Sequence, residues 1–325
     1  MLSRVAESLY WIGRYIERAE SNARMLDVNL QVTLDFEGEQ GEVALQTWSS
    51  PLASLQDHQL FESLFPKVSP EAVSEFLTFS EENPNSIVSC VGGARENARM
   101  VRDSISSEMW EQINLLHLWL GTEEARALFN GSTIDFYRKV VDGSHQFHGT
   151  TDATLTHGEG WNFLQCGKFL ERADCASRIL DLKYHILLPS GEEVCGNIDT
   201  VQWLSVLKSC SGYEAFRKLF PGPVLPWRVA EFILLHDSFP RSIRFCCEQL
   251  DAALHRISGC DRAHFANEAE RLSGRLCADL NYETIRRVFR AGLHEYLDEI
   301  QQRLIRVNNG LQEVYCRWAD EAETS

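Results

Sequence analysis

An all-α protein, a helical bundle built from a tandem duplication of one helical unit, is what this sequence predicts. Two observations carry that expectation. Apolar residues recur at spacings of three and four along several long segments, which is the period of one helix face. One pattern of residues also occurs twice, about half a chain apart. No segment shows the sustained period-two alternation of β-branched residues that strands would need.

The first helix is marked by Val5, Leu9, Ile12, Ile16, Ala19, Ala23, Leu26 and Leu30, with Ser3 placed to cap it. Its counterpart begins near Gly160 and runs to about His185, ending before Pro189. Pro84 and Pro240 are assigned to first turns, where a missing N–H costs nothing. Long helices are expected to follow them over residues 84–118 and 239–258. A last helix over residues 282–318 carries Ile285, Val288, Phe289, Leu293, Leu297, Ile300, Leu304 and Val307. Linker signals lie at Glu37–Glu42, Gly149–Gly160 and Pro189–Asn197, the middle one being the natural boundary. The expected organisation is a first repeat over residues 1–152 and a second over 153–325, packed into one globule.

The repeat is read residue by residue. Gly13, Glu17, Arg18, Ala19, Arg24, Leu26 and Asp27 match Gly167, Glu171, Arg172, Ala173, Arg178, Leu180 and Asp181, always 154 positions apart. Trp48 then pairs with Trp203 and Phe61 with Phe216. Leu64-Phe65-Pro66 pairs with Leu219-Phe220-Pro221, and Glu75-Phe76 with Glu231-Phe232. Pro84-Asn85-Ser86-Ile87 pairs with Pro240-Arg241-Ser242-Ile243. Collinear matches over so long a stretch are hard to produce by chance.

The totals exclude several function classes. A chain of 325 residues with 44% hydrophobic and 24% charged content is ordinary globular material. A formal charge of −16 repels phosphate backbones, so no nucleic acid partner is expected. No stretch approaches the ~18 apolar residues of a membrane span, and the opening Met1–Glu7 does not read as a secretory signal. The expected place is the cytoplasm. Ten cysteines include no C-x-x-C pair, so reduced, mostly buried thiols are expected in place of disulfides or a metal centre.

Charge is patterned on the repeated helix. Gly13, Glu17, Glu20 and Arg24 form one stripe beside the apolar seam, with Arg14 and Arg18 alongside. The second copy has Gly167, Glu171, Asp174 and Arg178, with Lys168 and Arg172 alongside. One reading is structural: i,i+4 pairs at Glu20–Arg24 and Asp174–Arg178, and partly buried ion pairs of Glu17 and Glu171 with arginines on a facing helix. The other reading sets both Glu-Arg groups around a shared cleft that binds a carboxylate, amine or phosphate, a task suited to the planar guanidinium. A second polar group, His145, His148, Asp152, His157 and Glu159, has no recognised zinc spacing and reads as a solvated turn. No metal and no cofactor are expected. Gly92-Gly93 lacks the lysine and strand of a phosphate loop and marks a close helix crossing or a kink. Trp11, Trp48, Trp110, Trp119, Trp161, Trp203 and Trp227 are assigned to core packing.

The run Met1 to Glu20, with Tyr10-Trp11-Ile12-Gly13-Arg14-Tyr15-Ile16-Glu17-Arg18 at its centre, resembles the opening of the bacterial alpha-E family. Gly160-Trp161-Asn162-Phe163-Leu164 through Asp174, and Ala94-Arg95-Glu96-Asn97-Ala98-Arg99, resemble it too. The resemblance spans essentially the whole chain. It implies an association with circularly permuted ATP-grasp ligases and transglutaminase-like proteins in peptide synthesis or modification, with no established reaction. The expectation is a non-catalytic helical partner of such a ligase, of its peptide, or of both. Glu17, Arg18, Glu171 and Arg172 would then orient a charged group or anchor facing helices. The alternatives are an enzyme, with Glu17 or Glu171 as a general base of raised pKa, and a purely structural scaffold. Lys168, standing where the first copy has Arg14, argues against two identical sites.

Overall fold

The computed structural model describes residues 1–35, 48, 52, 58–187 and 197–316. Among them are fifteen α-helices and no strand. In chain order these are α1 (Ser3–Asp35), α2 (His58–Leu64), α3 (Pro70–Thr78), α4 (Ile87–Met100), α5 (Ser107–Leu120), α6 (Glu123–Gly131) and α7 (Thr133–Thr154). There follow α8 (Glu159–Leu187), α9 (Asn197–Ser209), α10 (Tyr213–Leu219), α11 (Pro226–Leu235), α12 (Ile243–Ser258), α13 (Glu268–Asn281), α14 (Ile285–Ala291) and α15 (Leu293–Leu311). A five-residue π-turn, Gln312–Cys316, follows α15.

The two longest helices, α1 and α8, lie against each other at the centre. Around α1 pack α4 and α7, and around α8 pack α12 and α15. The apolar stripe of α1 is why it sits inside: Leu9, Ile12, Ile16, Ala23 and Leu26 are buried. Burial of each large aliphatic side chain contributes about 1.5–3 kcal/mol. At the crossing, glycine is required on both helices. A Cβ on Gly13 would overlap the carbonyl oxygen of Leu164, and one on Gly167 the carbonyl oxygen of Tyr10. Gly13 and Gly167, like Tyr10 and Leu164, are 154 positions apart, so the two contacts are reciprocal.

Other matched residues also take equivalent places. Phe61 touches Phe65 and Phe76 at centroid distances of 5.1 and 5.3 Å. Their matches do the same, Phe216 lying 5.0 Å from Phe220 and 5.6 Å from Phe232. Ser86 caps α4 by accepting from Ser89 N, and Ser242 caps α12 by accepting from Phe245 N, both at 3.1 Å. The thiols of Cys90 and Cys246 point at the carbonyls of Pro84 and Pro240.

Several sequence expectations are corrected. The long helix expected over 84–118 is two helices, because Ser106 caps a new one through Met109 N at 3.1 Å. Here a side chain offers the backbone an alternative to helix continuation. The helix expected over 282–318 breaks at Gly292, whose φ of 104° lies in the left-handed region. Pro84 and Pro240 precede the serine caps and lie outside the first turns, and Ser3 lies inside α1. The stretch 149–160 is helical except for residues 155–158, so position 152 falls within α7. The linker signal at 37–42, nearly all of that at 189–197, and Cys195 lie outside the described residues. Trp227 is exposed, while Trp48 and Trp203 are buried. Gly93 does mark a close crossing: a Cβ there would stand 3.0 Å from the Tyr15 ring.

Gly167→Ala therefore reverses the usual helix preference. It is expected to destabilise by at least about 1–3 kcal/mol through overpacking. Gly149→Ala, on α7 with open space around it, is expected to stabilise by about 0.5–1 kcal/mol. Urea midpoints of the two variants measure both.

Candidate functional site

The Glu-Arg residues meet at the α1–α8 crossing, and they pair across it. Arg172 Nε and Nη2 donate to Glu17 Oε1 and Oε2 at 2.8 and 2.7 Å. Arg18 Nε and Nη2 donate to Glu171 Oε1 and Oε2 at 2.6 and 3.0 Å. Each dipeptide thus supplies the carboxylate for the other's guanidinium, in two bidentate pairs related by the repeat. Such forks fix geometry as well as charge. Glu17 and Glu171 are buried, at 0% and 2% exposure. The expected ion pairs of Glu17 and Glu171 with arginines on the facing helix are present.

The two sides differ in what completes them. On the Glu171 side Arg14 Nε adds a bond at 2.6 Å, while Arg14 Nη1 reaches Asn308 Oδ1 at 2.9 Å. Arg18 Nη1 donates to Asn85 Oδ1 at 2.8 Å. On the Glu17 side the match of Arg14 is Lys168, which makes no ion pair among the described residues. Its role passes to Arg241, the match of Asn85, which donates to Glu17 Oε1 at 2.7 Å and also to Glu20. Glu20 further accepts from Arg24 Nε at 2.9 Å and Ser144 Oγ at 2.7 Å. The expected i,i+4 pairs exist: Arg24–Glu20 at 2.8 Å and Arg178–Asp174 at 2.8 Å.

The electrostatics follow from this pairing. Burial alone would raise the Glu17 carboxyl, but Arg172 and Arg241 outweigh it and hold it well below the usual range. Burial is likewise outweighed at Glu171 by Arg14 and Arg18, which hold it at about 2. The Glu20 carboxyl is also lowered, against burial, chiefly by Arg241. A general base needs a pKa near the working pH, and these carboxylates are moved the other way. Burial, with Arg172 adjacent, pulls the Lys168 amine down to about 8.

The polar group of His145, His148, Asp152, His157 and Glu159 is not brought together at one site among the described residues. His145 Nε2 lies 3.2 Å from Glu20 and His148 Nε2 lies 3.5 Å from Glu17. Asp152 pairs with His157, and Glu159 with the N-terminal amine. His148 is too far from Glu17 for a well-formed hydrogen bond, and burial lowers its pKa to about 4. Sequence reasoning missed Arg241, Asn85, Tyr10 and Asn308. For Arg241 a signal existed: it is an arginine in one copy and an asparagine in the other.

Residues of both sets, Arg14 and Arg18 from one and Glu171, Asp174 and Arg178 from the other, line one cavity. A cavity of about 230 Å³ opens on the Glu171 side, lined among others by Arg14, Arg18, Asp174, Arg178 and Asn308. The Glu17 carboxylate is absent from its lining.

A family model described as a predicted alpha-helical domain with a conserved ER motif matches residues 1–316. Uncharacterised proteins of Mycobacterium bovis and Mycobacterium tuberculosis are 24% identical over 271 residues. The match covers 79% of this chain but 30% of each relative, so the chain spans less than a third of the curated relatives it matches. No solved structure matches.

The lowered carboxylates set the pH dependence of stability. Their folded pKa values lie below the unfolded ~4.3, so the unfolded chain takes up protons first. The stabilisation is complete above that value and is lost as pH falls towards the folded pKa, about 2 for Glu171. Urea midpoints should therefore fall steeply from pH 4.5 to 2.5. Glu171→Gln, which leaves Arg14 and Arg18 without their buried partner, should cost about 3–5 kcal/mol at pH 7 and show a shallower acid limb.

Proposed function

The chain belongs to the Alpha-E family, and from that premise we propose that it is a non-catalytic helical binding protein of a peptide-synthesis or peptide-modification system. Its partner is an ATP-grasp-type ligase, and the Glu171-side cavity receives a carboxylate of the peptide that the ligase handles. A transglutaminase-like protein belongs to the same proposed system. The observation that carries the reading is the cavity itself, which brings Arg14, Arg18 and Arg178 to one opening of about 230 Å³. Each guanidinium has five N–H donors, and carboxylates suit its fork. Glu171 occupies three of those of Arg14 and Arg18, and Asn308 and Asn85 take one more from each arginine. The volume fits a peptide end or side chain, being below the ~300–1,000 Å³ of pockets that take larger ligands.

Two further facts support the reading. The carboxylates at the crossing are paired and held anionic, which suits anchoring better than proton transfer. The unit also occurs within longer chains in its relatives, as a module working beside other domains would. The reciprocal contacts at Gly13 and Gly167 support descent from a duplicated unit, one copy of which kept an open cavity.

Arg178 is the residue to vary, because it lies at the cavity away from the central crossing. Arg178→Gln should weaken binding of an acidic peptide about tenfold or more, as expected for a charge-assisted hydrogen bond, with helicity retained. Titration calorimetry of the full chain measures this, and an unchanged affinity would remove the cavity from the account. Sedimentation of the chain mixed with an ATP-grasp-type ligase should show a complex; two independent boundaries would contradict the partnership.

A further inference from the structure

A second cluster of ligand-type side chains lies outside the Glu-Arg set, between the end of α12 and the start of α13. Gly259, with φ of 74°, turns the chain sharply after α12 and brings Cys260 back over His255, whose Nδ1 is 3.2 Å from the Cys260 carbonyl oxygen. Glu270, in the first turn of α13, places Oε2 3.7 Å from the same Nδ1. One ligand atom each from His255, Cys260 and Glu270 lies within 4.8 Å of the others. His255 and Glu270 are buried, at 6% and 1% exposure, whereas Cys260 is partly open to solvent.

We propose that His255, Cys260 and Glu270 form a binding site for a zinc-type divalent cation. Zinc bonds of about 2.0 Å to nitrogen and oxygen and 2.3 Å to sulfur leave tetrahedral ligand atoms about 3.3–3.6 Å apart. The cluster, with ligand atoms within 4.8 Å of one another, would contract to reach that spacing. A thiolate with imidazole and carboxylate selects zinc over the harder magnesium and calcium.

The surroundings orient the ligands. Asp251 Oδ1 stands 3.7 Å from His255 Nε2. The Cys260 carbonyl only accepts, so Nδ1 carries the proton in that contact. A metal at Nδ1 would displace it, and the ring's remaining proton would then sit on Nε2 facing Asp251, the arrangement common to metal-bound histidines. Asp251 is itself held by Ser273 Oγ at 2.7 Å and by Arg262 Nη2 at 3.0 Å. Glu270 Oε2 accepts from Ala266 N at 2.6 Å and Oε1 from Asn267 Nδ2 at 2.8 Å. No guanidinium or ammonium group pairs with Glu270 among the described residues.

That last point separates this cluster from the other close group, Glu17, Glu20 and His148. There Arg172 and Arg241 already occupy the carboxylates, at 2.7 Å from Glu17, and their charge opposes a metal ion. Three protein ligands at the His255 cluster leave a fourth position for water or an incoming ligand. The metal would join the end of α12, the loop after it and the start of α13.

The test uses the full reduced chain titrated with cobalt(II), then with zinc as competitor. One cobalt per chain should give a near-ultraviolet thiolate-to-metal band and strong visible ligand-field bands, both displaced by zinc. Cys260→Ser, at a partly exposed position, should abolish the thiolate band, while Cys175→Ser should keep it. Asp251→Asn should weaken cobalt binding about 10–100-fold with the band shape kept; unchanged affinity would overturn the orienting role of Asp251. Absence of the thiolate band in the unaltered chain, or its persistence in Cys260→Ser, would overturn the site.

Discussion

Two helices can cross with their backbones touching only where neither carries a side chain, and the centre of this protein is built on that constraint. Gly13 and Gly167 meet carbonyl oxygens of the opposite helix, and one turn further along the carboxylate of each helix meets the guanidinium of the other. The close approach is what lets short, bidentate pairs form there. Buried ion pairs yield little net stability against desolvation, yet breaking one partner away is costly. The crossing therefore specifies a register: a slip of one residue would leave buried charges unpaired on both sides.

On this nearly symmetric frame the two sides of the crossing are completed differently. Lys168 stands at the position matched to Arg14, and Arg241 at the position matched to Asn85. The Glu17 side recruits its second arginine from the turn before α12, and Glu20, Ser144 and His145 close over it. The Glu171 side takes both arginines from α1 and leaves space above them, bounded by Asp174, Arg178 and Asn308. One half is closed by charge, and the other holds the cavity.

Much of this was legible in the sequence, for physical reasons. The period of Leu9, Ile12, Ile16 and Leu26 fixes a helix and its buried face, and the matched Glu-Arg dipeptides mark which helices are equivalent. The i,i+4 pairs at Glu20 and Asp174 follow from helix geometry alone. Other features depend on tertiary placement. Nothing in the spacing of His145 and His148 shows that they turn to Glu20 and Glu17 instead of to each other. Arg241 lies more than two hundred residues from Glu17 in sequence, and only the fold joins them. The breaks at Ser106 and Gly292 were hidden because apolar residues continue in helical register on either side of each.

The central claim is that the cross-paired carboxylates and guanidinium groups act as one interaction, and a double-mutant cycle on Glu17 and Arg172 tests it most directly. Stabilities of Glu17→Gln, Arg172→Gln and the double variant would be compared with that of the unaltered chain. The account predicts strong coupling, with the double variant less destabilised than the sum of the singles by about 1–3 kcal/mol. Additive losses would contradict it, because they would mean that the two groups are held by other contacts and not by each other.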